Sequence, residues 1–320
     1  MKEFPRIVFF GTPEFAVASL DAIVKAGFPV AGVVTVPDKP AGRGLTLSQS
    51  AVKKYAVAHN LPLFQPERLK NDEFHQTLVN LNPDIQVVVA FRMLPELVWG
   101  LPPLGTFNLH ASLLPQYRGA APVNWAIING ETVTGVTTFF INGEIDTGAI
   151  LLQEPVQIHP AENAGELHDR LMNIGADLVV KTVQGIISGA VSPLPQALVS
   201  AGSTGYKQAP KIQKSDTIIN WDRDIKDVGN QIRGLTPYPG ANTRIRQKNG
   251  SYLEVEIGSF SLSVERPQEK LIPGEVCTDR KRFLKISAKN GYIDVLSLQP
   301  ASKNMMNIRD FLNGFGALVA

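Results

Sequence analysis

The 320-residue chain has one cysteine, Cys277, and only five histidines. A lone cysteine cannot close a disulfide within the chain. So small a supply of thiol and imidazole ligands argues against a dedicated zinc site, and no metal is expected. No run of 18 or more apolar residues occurs, which excludes a membrane-spanning helix. The opening stretch, Met1 to Phe10, lacks the length and small-residue cleavage site of a signal peptide. Gly11-Thr-Pro-Glu-Phe15 is not a GxGxxG, so a nucleotide cofactor is not indicated. No Ser, Cys or Lys sits in a recognisable nucleophile context, which favours direct group transfer over a covalent enzyme intermediate. No internal repeat or low-complexity tract is visible. The expectation is a soluble protein of the cytoplasm.

What is present is enough apolar chain, 44% of residues, to build a sizeable core without disulfides, and a length that suggests two domains. Arg6 to Gly11 reads as a buried first strand ending in a glycine turn, and Phe15 to Ala26 as a helix. Further strands are expected at Val30–Val36, His59–Phe64, Ile85–Ala90 and up to His110. Apolar strands alternating with helices point to an α/β domain with a mostly parallel sheet. Leu167 to Ile187 is the longest helix, with apolar residues recurring at spacings of three and four. Val191 to Gly205 carries no charge and is rich in Pro, Ser, Ala and Gly, so it reads as a linker. Shorter apolar runs follow at 252–257, 260–264, 283–286 and 292–298. Turn residues such as Asn249-Gly250 and Asn290-Gly291 separate them, the pattern of a small antiparallel barrel or sandwich. The expected division is 1–190, a linker at 191–205, and 206–320.

The formal charge of +2 conceals an asymmetry. Residues 206–320 hold 18 Lys or Arg against 12 Asp or Glu, whereas residues 1–205 hold 13 against 17. A basic β module on an acidic α/β domain suits contacts to nucleic-acid phosphates, although an ordinary solvated surface has the same composition. Within the acidic domain, the loop Pro37-Asp-Lys-Pro-Ala-Gly-Arg-Gly44 carries Lys39 and Arg43 and is placed near a polyanion.

Asn108 and His110 alternate along one strand and therefore share a face. Ala111 to Pro122 follows as a loop rich in Pro and Gly, and Asn142-Gly-Glu-Ile-Asp-Thr-Gly148 forms a second polar loop. Asn, His and Asp on adjoining elements suit acyl transfer. Asn donates to an oxygen gaining charge, His exchanges a proton near neutrality, and Asp orients the His or accepts a proton. The plainer alternatives are His110 as a satisfied core histidine and Asp146 as a turn cap. For Gly11-Thr-Pro-Glu-Phe15 they are an anion-binding helix start or a tight turn alone.

These residues resemble the methionyl-tRNA formyltransferase family over nearly the whole chain. The resemblance runs through Val8–Ala16, Pro37–Gly44, Val87–Ala90, Asn108–Ala126 and Asp146-Thr-Gly148. In the second domain it continues through Ala209–Ile212, Ile219–Trp221 and Ile232–Ala241. It implies a Rossmann-like formyltransferase domain followed by a smaller OB-like β-barrel. The implied activity moves a formyl group from 10-formyltetrahydrofolate to the amino group of initiator methionyl-tRNA, by a monomer. The family's catalytic trio falls on Asn108, His110 and Asp146. The folate would lie along Phe91, Arg92, Met93 and Leu94 and along Ser112, Leu113, Leu114 and Pro115. Contacts to tRNA would come from Lys39, Arg43, Lys207, Lys211 and Arg233. Four positions depart from the family pattern: Glu144 and Arg92 where glycine is common, and Leu45 and Thr46 where lysines are common. Arg92 would narrow or charge the pterin pocket. A sugar-nucleotide formyltransferase, a glycinamide ribonucleotide transformylase or a folate-deformylating domain is the rival enzyme. The basic second domain and the Arg43 loop weigh against them. The intact trio weighs against a non-catalytic RNA-binding protein.

Overall fold

The computed structural model describes residues 4–41, 46–199, 205–263, 272–315 and 319. The chain forms two compact units. One comprises Met1–Pro122, Val133–Gln157 and His168–Ala209, the other Val123–Thr132, Ile158–Leu167 and Pro210–Ala320.

Seven strands build the sheet of the first unit: β1 Ile7–Gly11, β2 Val30–Val34, β3 Leu63–Phe64, β4 Ile85–Val89, β5 Thr106–His110, β6 Val133–Phe140 and β7 Ile150–Gln157. Their order is β7-β6-β5-β4-β1-β2-β3. β1 to β5 pair in parallel, and β6 and β7 continue the sheet antiparallel. β1 and β4 are buried at every position, which is why both read as unbroken apolar runs rather than alternating ones. On one face Val8, Phe10, Val34 and Val88 pack with Phe74, Leu78, Leu94 and Val98. The helix Glu14–Lys25 contributes Phe15, Ala16, Ser19, Leu20 and Ile23, a single stripe at helical spacing. The third strand is shorter than the expected His59–Phe64. His59 closes the helix Ala51–Ala58 by donating its backbone N–H to Tyr55, and Asn60 takes a left-handed turn before the chain extends. The strand order reverses between β1 and β4, and the carboxyl ends flanking that point are where a ligand crevice forms in such sheets.

The second unit has two four-stranded antiparallel sheets. One runs Ala241–Arg246, Tyr252–Ile257, Ser297–Pro300, Met306–Asn307; the other runs Phe260–Ser263, Gly291–Val295, Leu284–Ala288, Val276–Thr278. The expected run 292–298 is two strands, interrupted at Leu296. Ile225, Val228, Ile232 and Leu235 of the helix Ile225–Leu235 join strand residues and Phe311 in its core. Two short pieces of the first 190 residues belong here. Ile128 lies in this core, and Asn124 Nδ2 and Trp125 Nε1 donate to the carbonyls of Gly234 and Pro210, each at 2.8 Å.

The stretch Val191–Gly205 is only in part a connector. Leu194 and Ile150 exchange backbone hydrogen bonds of 2.8 Å in both directions, and the short helix Gln196–Val199 follows. Residues 200–204 lie outside the described residues. Among the described residues no helix is long and apolar enough to cross a membrane.

The antiparallel strands β6 and β7 shape the loop after β5. His110 lies opposite Thr137 of β6. Thr137 Oγ1 donates to the Ser112 carbonyl at 2.6 Å, and accepts from Leu114 N–H at 3.1 Å and from Gln153 Nε2 at 2.9 Å. Gln153 Nε2 also donates to the Leu114 carbonyl at 2.9 Å. The Leu114 side chain packs on Phe139 and Ile150. One fully buried hydroxyl thus fixes the loop at two points and joins it to Gln153 of β7. Thr137→Val keeps the shape but leaves the Leu114 N–H and the Ser112 carbonyl unpaired. At about 1–3 kcal/mol per orphaned buried group, a loss of roughly 2–4 kcal/mol is expected in the urea unfolding of the chain, with Thr137→Ser close to the parent. A valine variant within about 0.5 kcal/mol of the parent would remove this hydroxyl from its place in the account.

Candidate functional site

Asn108 and His110 occupy the last half of β5. Asn108 is half-buried and His110 is 6% exposed. His110 Nε2 lies 2.8 Å from the Tyr117 carbonyl oxygen. A carbonyl only accepts, so Nε2 carries a proton in either charge state of the ring. Nδ1 is the other ring nitrogen, and it faces Asp146 Oδ2 at 3.7 Å. That separation exceeds hydrogen-bond length but lies within ion-pair range. Such pairs commonly tighten when substrate arrives.

The carbonyl that holds His110 is aimed by an uncommon backbone. Tyr117 has φ 60°, in the left-handed region that few bulky residues adopt. Its N–H donates to the Lys207 carbonyl at 2.7 Å, and the Lys207 N–H donates to Gln116 Oε1 at 2.9 Å. Ser112 Oγ closes the loop onto the Gln116 carbonyl at 2.6 Å.

Asp146 also sits in the left-handed region, at φ 55°. Its Oδ2 accepts the Gly119 N–H at 2.9 Å. Arg118–Gly119 pairs in parallel with Gln208–Ala209, and a Cβ on Gly119 would fall on the Ala209 carbonyl. This close approach requires glycine. Within the Asp146 loop, Asn142 Oδ1 accepts from Glu144 N–H at 3.0 Å and from Thr147 Oγ1 at 2.9 Å. Glu144 points to solvent and the loop closes without the family's glycine there.

The segment after β4 turns at Ala90, φ 47°. Phe91 is half-buried with its ring 5.7 Å from that of Phe10. Arg92 is half-buried, and its guanidinium donates to the carbonyls of Pro66 and Glu67, the latter at 2.9 Å. Its Nε is buried with no hydrogen-bond partner among the described residues, and burial draws its pKa below the usual arginine value. Arg92 therefore ties this segment to the loop after β3 rather than projecting a charge. Met93 is exposed, whereas Leu94 packs in the core. Ser112 and Leu114 are likewise buried, so none of these three side chains faces a ligand. Leu113 is half-buried and Pro115 buried.

Lys39 is exposed on a ribbon formed by Lys39–Ala41 and Thr46–Ser48. Its root is knotted by Asp38, which accepts from Lys53 Nζ at 2.6 Å and from Gln65 Nε2 at 2.9 Å and is thereby held below the ordinary carboxylate range. Arg43 and Leu45 lie outside the described residues. Lys207 and Lys211 are exposed. Arg233 is not presented in the same way. Its guanidinium donates to Asn230 Oδ1 and, at 2.9 Å, to the Glu162 carbonyl, and burial lowers its pKa.

At Gly11-Thr-Pro-Glu-Phe15, Ala16 and Val17 N–H turn back on the Pro13 carbonyl, and a Cβ on Gly11 would strike Ala16. Tight strand–helix packing accounts for this glycine. Among the described residues no group of three or more His, Cys, Asp or Glu could hold a metal ion. Sequence reasoning missed Tyr117, Thr137, Gln153 and Gln196. Only the last left a trace, as the one side-chain amide in the Pro- and Ser-rich stretch 191–205.

Residues 5–183 match the family model described as formyl transferase, and residues 211–316 match that of the formyl transferase C-terminal domain. A methionyl-tRNA formyltransferase of Bacteroides fragilis is 48% identical over 98% of this chain and 96% of its own length. One from Parabacteroides distasonis is 49% identical over 98% and 97%. Among solved structures, the N-formyltransferase of Helicobacter canadensis, in complex with folinic acid and dTDP-3-aminofucose, covers 93% of this chain and all of its own. It aligns at TM-score 0.64 and 22% identity. HypX of Aquifex aeolicus, in complex with tetrahydrofolic acid, aligns over 98% of this chain at TM-score 0.63 and 18% identity, and this chain spans 47% of HypX. At those identities the two structures speak to the fold alone. The full-length identity near one half is of another order, and with both family models in register it means that the chain belongs to the methionyl-tRNA formyltransferase family.

Proposed function

We propose that the reaction of this chain, transfer of a formyl group from 10-formyltetrahydrofolate to the α-amino group of initiator methionyl-tRNA, is carried by Asn108, His110 and Asp146. The observation behind this reading is the commitment of His110 Nε2 to the Tyr117 carbonyl, which turns Nδ1 toward Asp146. A core histidine satisfied at both nitrogens would have no atom left for chemistry.

Ser112–Pro115 and Phe91–Leu94 are the proposed folate segments, and the latter fits a reduced folate in two respects. Phe91 brings a half-buried aromatic ring, and Arg92 Nε is an N–H donor without a partner among the described residues. When bound, 10-formyltetrahydrofolate supplies an electrophilic formyl carbon on N10. The rest of the reading concerns what the protein does around it. The Asn108 amide and a protonated His110 Nδ1 donate to the formyl oxygen as it gains charge, and loss of one such donor typically raises the barrier by about 3–4 kcal/mol. The attacking α-amine titrates near 7.7–8.0 when free, and the adjacent ester lowers this, so no strong base is needed to expose it. Asp146 takes the amine proton after attack. His110 Nδ1 then delivers a proton to the departing nitrogen.

For the macromolecular substrate, Lys39, Arg43, Lys207 and Lys211 are the proposed contacts, the last two supported by the net +6 of residues 206–320. Arg233 has its donors on Asn230 and Glu162 and is read as a support within the second unit rather than as a direct contact. The enzyme acts as a single chain in the cytoplasm.

His110→Ala and Asp146→Ala are each expected to lower formyl transfer about 10²-fold or more while tRNA affinity changes little. Near-parental turnover in either variant would sink the assignment. Arg43→Ala is expected to leave the chemistry intact and to reduce the preference for initiator over elongator methionyl-tRNA. An unchanged preference in side-by-side assays would remove Arg43 from selection.

A further inference from the structure

We propose that Gln196 is a positioning residue for the transfer reaction, acting with Arg118 to hold Asp146; this rests on the catalytic reading of Asp146 given above. Gln196 is 4% exposed, although its neighbours in the short helix Gln196–Val199 are exposed. A buried side-chain amide is unfavourable unless all its polar positions are paired, and here they are. Oε1 accepts from Arg118 Nε at 3.1 Å and Nη2 at 2.6 Å. Nε2 donates to the backbone carbonyls of Asp146 and Gly148, both at 2.9 Å.

The direction of this amide is not arbitrary. A guanidinium can only donate, so the oxygen must face Arg118 and the NH₂ must face the two carbonyls. The pair of bonds spans Thr147-Gly148 and holds the Asp146–Thr147 and Gly148–Ala149 peptide planes. Gly148 packs tightly here, since an added Cβ would fall on the Phe140 carbonyl. Asp146 itself is in a left-handed conformation that an L-residue keeps only when its surroundings impose it. Gly119, the residue after Arg118, donates its N–H to Asp146 Oδ2. Arg118-Gly119 therefore grips Asp146 at both ends: the main chain holds the carboxylate, and the Arg118 side chain, through Gln196, holds the backbone. Arg118 is in turn placed over the Tyr206 ring, 5.7 Å from its centre. The role has a specific chemical requirement, a donor at Nε2 and not merely a side chain of that size.

Gln196→Glu tests that requirement, since a carboxylate of the same shape still pairs with Arg118 but turns an oxygen toward two carbonyl oxygens. Steady-state transfer from 10-formyltetrahydrofolate to methionyl-tRNA is measured for the parent, Gln196→Glu, Gln196→Met, Asp146→Asn and the double variants, with thermal unfolding recorded for each. The expected result is a fall in kcat of about 10–100-fold for both Gln196 variants, with KM for either substrate within about threefold of the parent. Added to Asp146→Asn, the Gln196 substitutions are expected to cause little further loss, because they act through that residue. If Gln196→Glu unfolds far below the parent, the uncharged and nearly isosteric Met variant carries the test. A folded Gln196 variant with parental kcat, or a loss that multiplies fully with that of Asp146→Asn, overturns the proposal. Failure of the underlying reading gives a different result, an Asp146→Asn enzyme as active as the parent.

Discussion

The hydrogen bond from His110 Nε2 to the Tyr117 carbonyl is the constraint on which the rest of the site depends. It takes one nitrogen out of play, fixes the ring plane, and leaves Nδ1 as the only atom of the side chain able to gain or lose a proton. For the bond to exist, the chain must double back within seven residues of the end of β5 and present a carbonyl to its own strand. That return is costly in backbone conformation, as φ 60° at Tyr117 shows. The return is secured by side chains from β6 and β7, with Thr137 and Gln153 supplying the hydrogen bonds. A sheet of five parallel strands would leave this edge without partners for the loop. The two antiparallel strands are thus what turn a general α/β crevice into this site.

Asp146 is treated by the fold in the same way. Neither it nor Tyr117 is glycine, and both adopt left-handed backbones enforced by neighbours. The groups that hold them are polar and hydrogen-bonded, and Ser112, Thr137 and Gln196 among them are buried. Charge follows a related logic. Arg92 and Arg233 count as cations in any tally of composition, yet each guanidinium is half-buried and bonded to backbone or amide oxygens. The exposed lysines, Lys39, Lys207 and Lys211, carry more of the field available to a polyanion than the formal numbers suggest.

Much of this was legible in the amino-acid order, and the reasons are physical. β1 and β4 are buried on both faces, so their apolar runs are continuous and unmistakable. The alternation of Asn108 and His110 places both on one face by the pleat alone. What was hidden depends on partners distant in the chain. The assignment of Val123–Thr132 and Ile158–Leu167 to the second unit rests on contacts such as that of Asn124 with Gly234, 110 residues away. The stretch 191–205 resembled a linker because its composition reflects exposed neighbours, and one buried amide does not alter an average. Leu94 and Leu114 fell in candidate ligand segments but face the core, since a short irregular loop has no period from which to read direction.

The central claim is that His110 is held in the Nε2–H form with Nδ1 as its working nitrogen. Ring nitrogen shifts from ¹⁵N-histidine-labelled enzyme, followed across the titration of His110, test it most directly. The expected result is a neutral ring protonated at Nε2, with Nδ1 moving from bare to protonated as pH falls. A neutral ring protonated at Nδ1 would contradict it.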